Sequence, residues 1–187
     1  MNNELHRRGL LAWAGLATLA GSVRAEDKPK PPPLERVPPD APLGKTLDGK
    51  TVRLSDFEGM PVVVFFWASW CPHCRNELPQ MERLQLAAKK ERVRVVAVNV
   101  EERDVFRQLH RGLAEKMQMQ HIYDPDGAAA KGFAKANGVP YTVVVRGDGT
   151  IATTMSGWCE TGCLEDIIKH VNGALAARAT AASAPAS

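Results

Sequence analysis

The sequence predicts an α/β domain in which a central mixed β-sheet is flanked by helices. The run at 61–67 is short and fully apolar, as is typical of a strand buried on both faces, and a second run, rich in β-branched residues, follows at 93–99. Leucine and methionine recur with helical spacing through the intervening segment 72–90. Two further strand-like runs flank a Gly-Asp-Gly turn signal at 147–149. Strands separated by helices and followed by a hairpin indicate mixed strand directions.

Residues 1–25 have the three parts of a secretory signal peptide. Arg7 and Arg8 form a basic start, residues 9–23 carry no charge, and small residues precede a cleavage site before Glu26. A retained membrane anchor is the alternative, but the uncharged stretch is shorter than the about 20 residues that span a bilayer. The paired arginines fit a twin-arginine export signal as well as a general secretory one. Either route predicts a periplasmic or otherwise extracytoplasmic protein, in a compartment where disulfides persist.

A proline-rich linker is predicted to join this signal to the domain. Residues 26–42 contain seven prolines, which favour an extended, semi-rigid chain. The domain itself is then expected at 43–177. Within it, the Asp-Gly pair of segment 47–52 predicts a tight turn and therefore an N-terminal β-hairpin extension of the sheet.

The remaining elements follow from the same periodicities. They are helices at 104–117, 128–136 and 164–177 and strands at 141–146 and 150–156. The last residues, 178–187, drift into Ala, Ser and Thr and predict a disordered tail.

The charge balance gives no reason to expect a nucleic-acid partner. The formal net charge is +3, and residues 1–25 hold three arginines but a single acidic residue. The rest of the chain is therefore close to neutral, whereas nucleic-acid binding needs a concentrated basic surface.

Cys71 and Cys74 lie where the first buried strand gives way to a helix. A C-x-x-C pair beside a β-α-β pattern indicates redox chemistry, since both sulfurs meet in the first helical turn. The helix start offers unpaired N–H groups and a positive dipole end, which favour the thiolate of Cys71. Pro72 suits the first helical position. A zinc site would need a second pair at compatible spacing, and Cys159 with Cys163 is the candidate for it.

The sequence also carries three longer motifs, GKTVRLSDFEGMPVVVFFWASWCPHCRNELP, VPYTVVVRGDGTI and SGW. They resemble the exported TlpA/ResA type of thiol–disulfide oxidoreductase, over about residues 38–175. The resemblance implies a thioredoxin-like fold and disulfide exchange with envelope proteins, often apocytochrome c. It further implies recharging by a membrane thiol donor, no organic cofactor and no bound metal. The mature protein is expected not to span the membrane.

The resemblance also assigns roles to individual residues. It makes Cys71 the exposed nucleophile, Cys74 the buried resolving cysteine, and Pro140 a cis-proline that faces the disulfide. A cis X-Pro bond would turn the Val139 backbone toward an incoming strand of substrate.

Trp70 and Gly157 match positions that line the substrate groove of this family, although plain packing would also account for them. His73 lies between the cysteines, and the Pro-His pair resembles the DsbA-type oxidant. A partly charged imidazole there would stabilise the Cys71 thiolate and make the disulfide more oxidising. The direction of electron flow, reductase or oxidase, therefore stays open.

Glu77 is a further candidate for catalysis. Phe65 occupies the position where thioredoxins carry a buried acid, and Glu77 is a possible replacement. It follows Cys74 by three residues, on the same helix face, and could accept the Cys74 proton when a mixed disulfide is resolved. A solvated helix glutamate explains the residue equally well.

Cys159 and Cys163 fall outside the family core. In a regular helix their spacing leaves Cβ atoms about 6 Å apart, which is long for a disulfide, but Gly162 allows a bend. We expect a Cys71–Cys74 pair and an auxiliary Cys159–Cys163 pair, with metal binding or free thiols as the alternatives.

Two other functions remain open at this point. A copper-handling module would use the same cysteines as thiolate ligands for Cu(I). A purely structural thioredoxin-like domain would keep a locked disulfide.

Overall fold

The computed structural model describes residues 35–57, 59–90, 92–157 and 163–183, with side chains of the last segment described over 164–180. The predicted signal peptide, most of the predicted linker, Cys159 and the Cys163 side chain lie outside the described residues. In the part of the chain that is described, no helix is long and apolar enough to cross a membrane.

One seven-stranded mixed sheet forms the centre of the domain, as predicted. Its strands are β1 (Pro42–Lys45), β2 (Thr51–Arg53), β3 (Val62–Trp67), β4 (Arg94–Asn99), β5 (Gln120–Tyr123), β6 (Tyr141–Val145) and β7 (Ile151–Ser156). Their order across the sheet is β2-β1-β5-β4-β3-β6-β7. Strands β3, β4 and β5 run parallel, and the other pairings are antiparallel. The predicted N-terminal hairpin is therefore the pair β1–β2, at one edge of the sheet.

Strand β3 lies between β4 and β6 in the sheet, and its side chains are buried on both faces. Its alternate side chains enter two different core clusters, Phe66 on one face and Phe65 and Trp67 on the other. Full burial of one such side chain contributes about 1.5–3 kcal/mol. The strand is thus a rigid support, and it ends at Trp67, just before the two cysteines.

Within the described residues, four α-helices cover the sheet. They are α1 (Pro72–Ala88), α2 (Arg103–Lys116), α3 (Ala128–Gly132) and α4 (Cys163–Ser183). Helices α1 and α4 pack on the face that holds Phe65, through Leu78 and Met81 of α1 and Ile167 of α4. Helix α3 packs on the opposite face through Ala129 and Ala130.

The domain begins earlier than the predicted boundary at residue 43. The Glu35 carbonyl accepts the Ile151 N–H at 2.8 Å, and the Val37 N–H donates to the Gly149 carbonyl at 2.9 Å. Val37 is also buried in the core, with 3% of its surface exposed. Prolines lack an N–H, but these bonds use other residues, so the nearby prolines do not prevent them.

The helix α4 also extends beyond its predicted end at residue 177. It continues to Ser183, so residues 178–183 are helical rather than part of a disordered tail. The segment is rich in alanine, the strongest helix former, and the Thr180 hydroxyl donates to the Ala177 carbonyl at 2.8 Å. Residues 184–187 lie outside the described residues.

Candidate active site

The two cysteines lie at the junction between β3 and α1, as predicted. They form a disulfide, with 5.3 Å between their Cα atoms. Cys71 precedes the first residue of α1, and its sulfur accepts the Cys74 N–H at 3.2 Å. That contact places the Cys71 sulfur among the unpaired N–H groups of the helix start, where a negative charge is favoured.

Cys71 is more buried than its expected role as an exposed nucleophile suggests. In this disulfide form 4% of Cys71 and none of Cys74 is exposed. The Val139 carbonyl oxygen lies 3.8 Å from the Cys71 sulfur and contributes to its cover. The Val139 backbone therefore lies beside the sulfur that a partner has to reach.

The loop before β6 supplies the second wall of the site. The Val139–Pro140 peptide bond is cis, as the resemblance implied. The Gly157 N–H donates to the Pro140 carbonyl at 2.9 Å, which ties the end of β7 to this loop. Gly157 has φ of +79°, and a side chain there would meet nothing within 4 Å, so its conformation rather than its space requires glycine. Val139, Pro140 and Gly157 are thus brought together beside the disulfide.

Trp70 and His73 lie on the exposed side of the site. Trp70 has 67% of its surface in water, an unusual position for a large apolar side chain. It borders an open groove that also involves Phe66, Val100 and Val139. His73 lies in the first turn of α1 and is exposed. These positions are consistent with substrate contact, and plain core packing does not explain Trp70.

Glu77 is buried, so the solvated-helix interpretation of this residue is wrong. Only 8% of it is exposed, and burial raises the pKa of its carboxyl to about 7. A cavity of about 20 Å³ adjoins it, large enough for about one water molecule. Its lining includes Glu77, Pro140, Thr142, Met155, Gly157 and Ile167. The carboxyl therefore lies on the same side of the site as the cis-proline.

One polar cluster beside the site was missed at the level of sequence. The Glu101 carboxylate accepts hydrogen bonds from the N–H and the hydroxyl of Ser69, two residues before Cys71. It also accepts one from the side chain of Asn99, the last residue of β4. The position of Glu101 in the sequence is the signal that could have identified it. Polar residues that follow a buried parallel strand gather at the edge of the sheet where α/β proteins place their functional sites.

The comparisons with known proteins agree with this geometry. Residues 37–154 match the AhpC/TSA family. Sporulation thiol-disulfide oxidoreductase A of Bacillus subtilis (strain 168) is 27% identical over 151 residues, which cover 80% of this chain and 84% of that protein. Thiol-disulfide oxidoreductase ResA of Oceanobacillus iheyensis is 41% identical over 59 residues, 32% of this chain and 31% of that protein. The match to ResA thus spans about a third of that relative's length.

A solved structure gives the same result. The crystal structure of a Chlorobium tepidum protein assigned as a thiol:disulfide interchange protein DsbE superimposes with a TM-score of 0.63. The two sequences are 28% identical, and the match covers 76% of this chain and 96% of the other. The chain therefore belongs to the AhpC/TSA family of thioredoxin-like proteins and is a thiol–disulfide oxidoreductase.

Proposed function

We propose that the protein is exported and exchanges disulfides with proteins of the cell envelope through Cys71 and Cys74. The observation that carries this proposal is the disulfide at the start of α1, in contact with the backbone of the half-buried residue Val139. A backbone edge beside a reactive sulfur suits an extended polypeptide, which can pair with it as a short β-strand.

In the reducing direction, the Cys71 thiolate attacks one sulfur of a substrate disulfide. The other substrate sulfur leaves as a thiolate and takes a proton, and a mixed disulfide joins Cys71 to the substrate. Cys74 then gives up its proton and attacks the Cys71 sulfur, which releases the second substrate thiol. Two electrons pass from the dithiol to the substrate, and the Cys71–Cys74 disulfide forms. The oxidising direction is the reverse sequence.

Glu77 is proposed as the base that accepts the Cys74 proton. A carboxyl with a pKa of about 7 is partly ionised at neutral pH and can both take up and return a proton. Its position three residues after Cys74 on α1 supports this role. Because Glu77 also borders the cavity beside Pro140, the proton has a short way out of the core.

The finer parts of the proposal rest on the sequence. The N-terminal signal supports export to the periplasm, and the family resemblance supports apocytochrome c as a substrate and a membrane thiol donor as the source of electrons. We also propose that Cys159 and Cys163 form an auxiliary disulfide. Mass spectrometry of the exported protein tests the first and last points, with an expected N-terminus at Glu26 and a Cys159–Cys163 linked peptide.

Turnover of a protein disulfide tests the central proposal. The reduced protein should reduce insulin in the presence of a thiol donor, and Cys71→Ser should abolish this activity. The double variant Cys159→Ser/Cys163→Ser is the matched control and should retain it. Equal turnover by Cys71→Ser and the parent would overturn the assignment of Cys71, and a measured reduction potential would establish the direction of electron flow.

A further inference from the structure

The acidic residue Glu101 connects two loops at the edge of the sheet where the cysteines lie. Strands β3 and β4 are parallel neighbours, and their last residues, Trp67 and Asn99, are paired. The chain after β3 leads to Cys71, and the chain after β4 contains Glu101. Both loops therefore leave the sheet side by side, and polar groups on the second loop can reach the backbone of the first.

The Glu101 carboxylate accepts three hydrogen bonds, and both of its oxygens take part. One oxygen accepts the Ser69 N–H at 2.5 Å, and the other accepts the Ser69 hydroxyl at 2.8 Å. The Asn99 amide donates to the carboxylate at 2.9 Å, and its own oxygen accepts the Glu101 N–H at 3.0 Å. Asn99 is fully buried, which fixes this end of the cluster to the core. Hydrogen bonds to a carboxylate are stronger than those between neutral groups, so the cluster holds the Ser69 backbone in place.

The segment that Glu101 anchors is the one that presents the reactive group. Ser69 lies within a turn closed by a bond from the Cys71 N–H to the Ala68 carbonyl at 3.2 Å. Trp70 follows Ser69 directly, and with 67% of its surface exposed it has little packing of its own to hold it. The position of Trp70 therefore depends on the backbone on either side of it. The disulfide holds that backbone at Cys71, and the bonds to Glu101 hold it at Ser69.

We propose that Glu101 is a positioning residue that holds Trp70 in place for the docking of protein substrates. The inference rests on the proposed function, since it requires that the substrate be a polypeptide lying across Trp70 and Val139. Trp70 borders the groove that also includes Val139 and Val100, and an ordered aromatic wall there gives a substrate chain contact area at low entropic cost. A small disulfide reagent needs the sulfur but not this wall.

A comparison of two substrates separates positioning from chemistry. The variants are Glu101→Ala, Glu101→Gln, Ser69→Ala and Ser69→Thr, with Glu102→Ala as the matched control. Glu102 is the adjacent acid, exposed and without a side-chain bond to the helix α2 that it precedes. KM and kcat are measured for insulin as the protein disulfide and for oxidised glutathione as the small one.

We expect Glu101→Ala to raise KM for insulin by about tenfold, which is within the roughly hundredfold loss that a misplacement of about 1 Å can cause. Turnover of oxidised glutathione should stay within about twofold of the parent, since that substrate does not need the aromatic wall. Ser69→Ala should have a smaller effect of the same kind, and Glu101→Gln should recover part of the loss because its amide oxygen can still accept. Ser69→Thr and Glu102→Ala should match the parent.

A second measurement guards against loss of folding. The indole N–H signal of Trp70 in a ¹H–¹⁵N spectrum, assigned with Trp70→Phe, should shift or broaden in Glu101→Ala and stay in place in Glu102→Ala. If Glu101→Ala is unfolded, the milder Ser69→Ala and Glu101→Gln carry the same test.

Three results would count against the inference. An unchanged KM for insulin in folded variants, or an equal loss on both substrates, would overturn the positioning role alone. A parent protein that turns over neither substrate would overturn the proposed function and this inference with it.

Discussion

The replacement Glu77→Gln gives the sharpest test of the buried carboxyl beside the disulfide. Glu77 has an ordinary carboxyl pKa of 4.5 in the unfolded chain and a pKa of about 7 in the folded protein. The folded state thus resists ionisation of this group. The contribution of the neutral carboxyl to the unfolding free energy is fully present below pH 4.5 and is lost as the pH rises through 7.

The magnitude follows from linkage. At 1.36 kcal/mol for each unit between the two pKa values, complete ionisation would cost about 3 kcal/mol of unfolding free energy. The cavity beside Glu77 admits some solvent, so we expect about 2 kcal/mol. Glutamine has nearly the same shape but cannot ionise. The variant should therefore match the parent at pH 4.5 and be about 2 kcal/mol more stable at pH 8.

Urea unfolding of the oxidised protein at several pH values measures this difference. The exposed residue Glu115 of α2 provides the control, because Glu115→Gln should leave the pH dependence unchanged. Stability curves for Glu77→Gln and parent that run parallel from pH 4.5 to 8 would refute the argument that burial perturbs this carboxyl.

The same variant should slow the chemical step that needs a base. In the parent, resolution of a mixed disulfide on Cys71 should fall as the pH drops through about 7, because protonated Glu77 cannot accept the Cys74 proton. In Glu77→Gln that inflection should disappear and the step should be slow throughout, with the first attack by Cys71 nearly unchanged. Stopped-flow measurement of both steps with a fluorescent disulfide peptide would show it, and equal resolution rates would remove Glu77 from the mechanism.

Two predictions concern stability away from the cysteines. Burial lowers the pKa of His121 to about 4. His110 has a smaller effect in the same direction, and the charge of Glu82 opposes it. The unfolding free energy should therefore fall by about 3 kcal/mol between pH 6.5 and 4. Urea unfolding should show a flatter acid limb for His121→Phe, and an unchanged limb would contradict the prediction. The Asp124 carboxylate accepts three N–H groups, those of residues 128–130 at the start of α3. Asp124→Ala should therefore lower the unfolding free energy by about 2 kcal/mol in the same assay, and Asp126→Ala should not.

The sequence predicted those parts of the fold whose signal is local. The six apolar residues of β3 are a long enough run to identify a buried strand, and a helix after Cys71 follows from periodicity and from Pro72 at its start. Strand β5 was missed because its four residues, Gln-His-Ile-Tyr, include two polar side chains and show no alternation. It is a strand because β4 pairs with it along one side, which is a property of the sheet and not of the segment.

The candidate site divides in the same way. Cys71 and Cys74 could be identified from spacing, and Pro140 from the motif around it. The environment of Glu77 could not be predicted from the sequence, because an exposed helix glutamate and a glutamate covered by a neighbouring loop have the same local sequence. Glu77 shares a cavity with Pro140 and Gly157, which lie more than 60 residues away in the sequence, and with Leu164 and Ile167 of α4.

Glu101 differs from Glu77 in the number of hydrogen-bond donors that surround its carboxyl group. Glu77 lies in a cavity whose lining is largely apolar, so its carboxyl pKa rises and it becomes a candidate for proton transfer. The Glu101 carboxylate accepts hydrogen bonds from Ser69 and Asn99, which suits a group that holds a backbone in place. Two glutamates on adjoining elements of one site thus acquire different chemistry from the number of donors that tertiary structure brings to them. A sequence pattern that counts acids near a C-x-x-C pair cannot distinguish a proton-accepting glutamate from a positioning glutamate. Replacement of each residue by glutamine does distinguish them, because only Glu77→Gln should abolish a pH-dependent step.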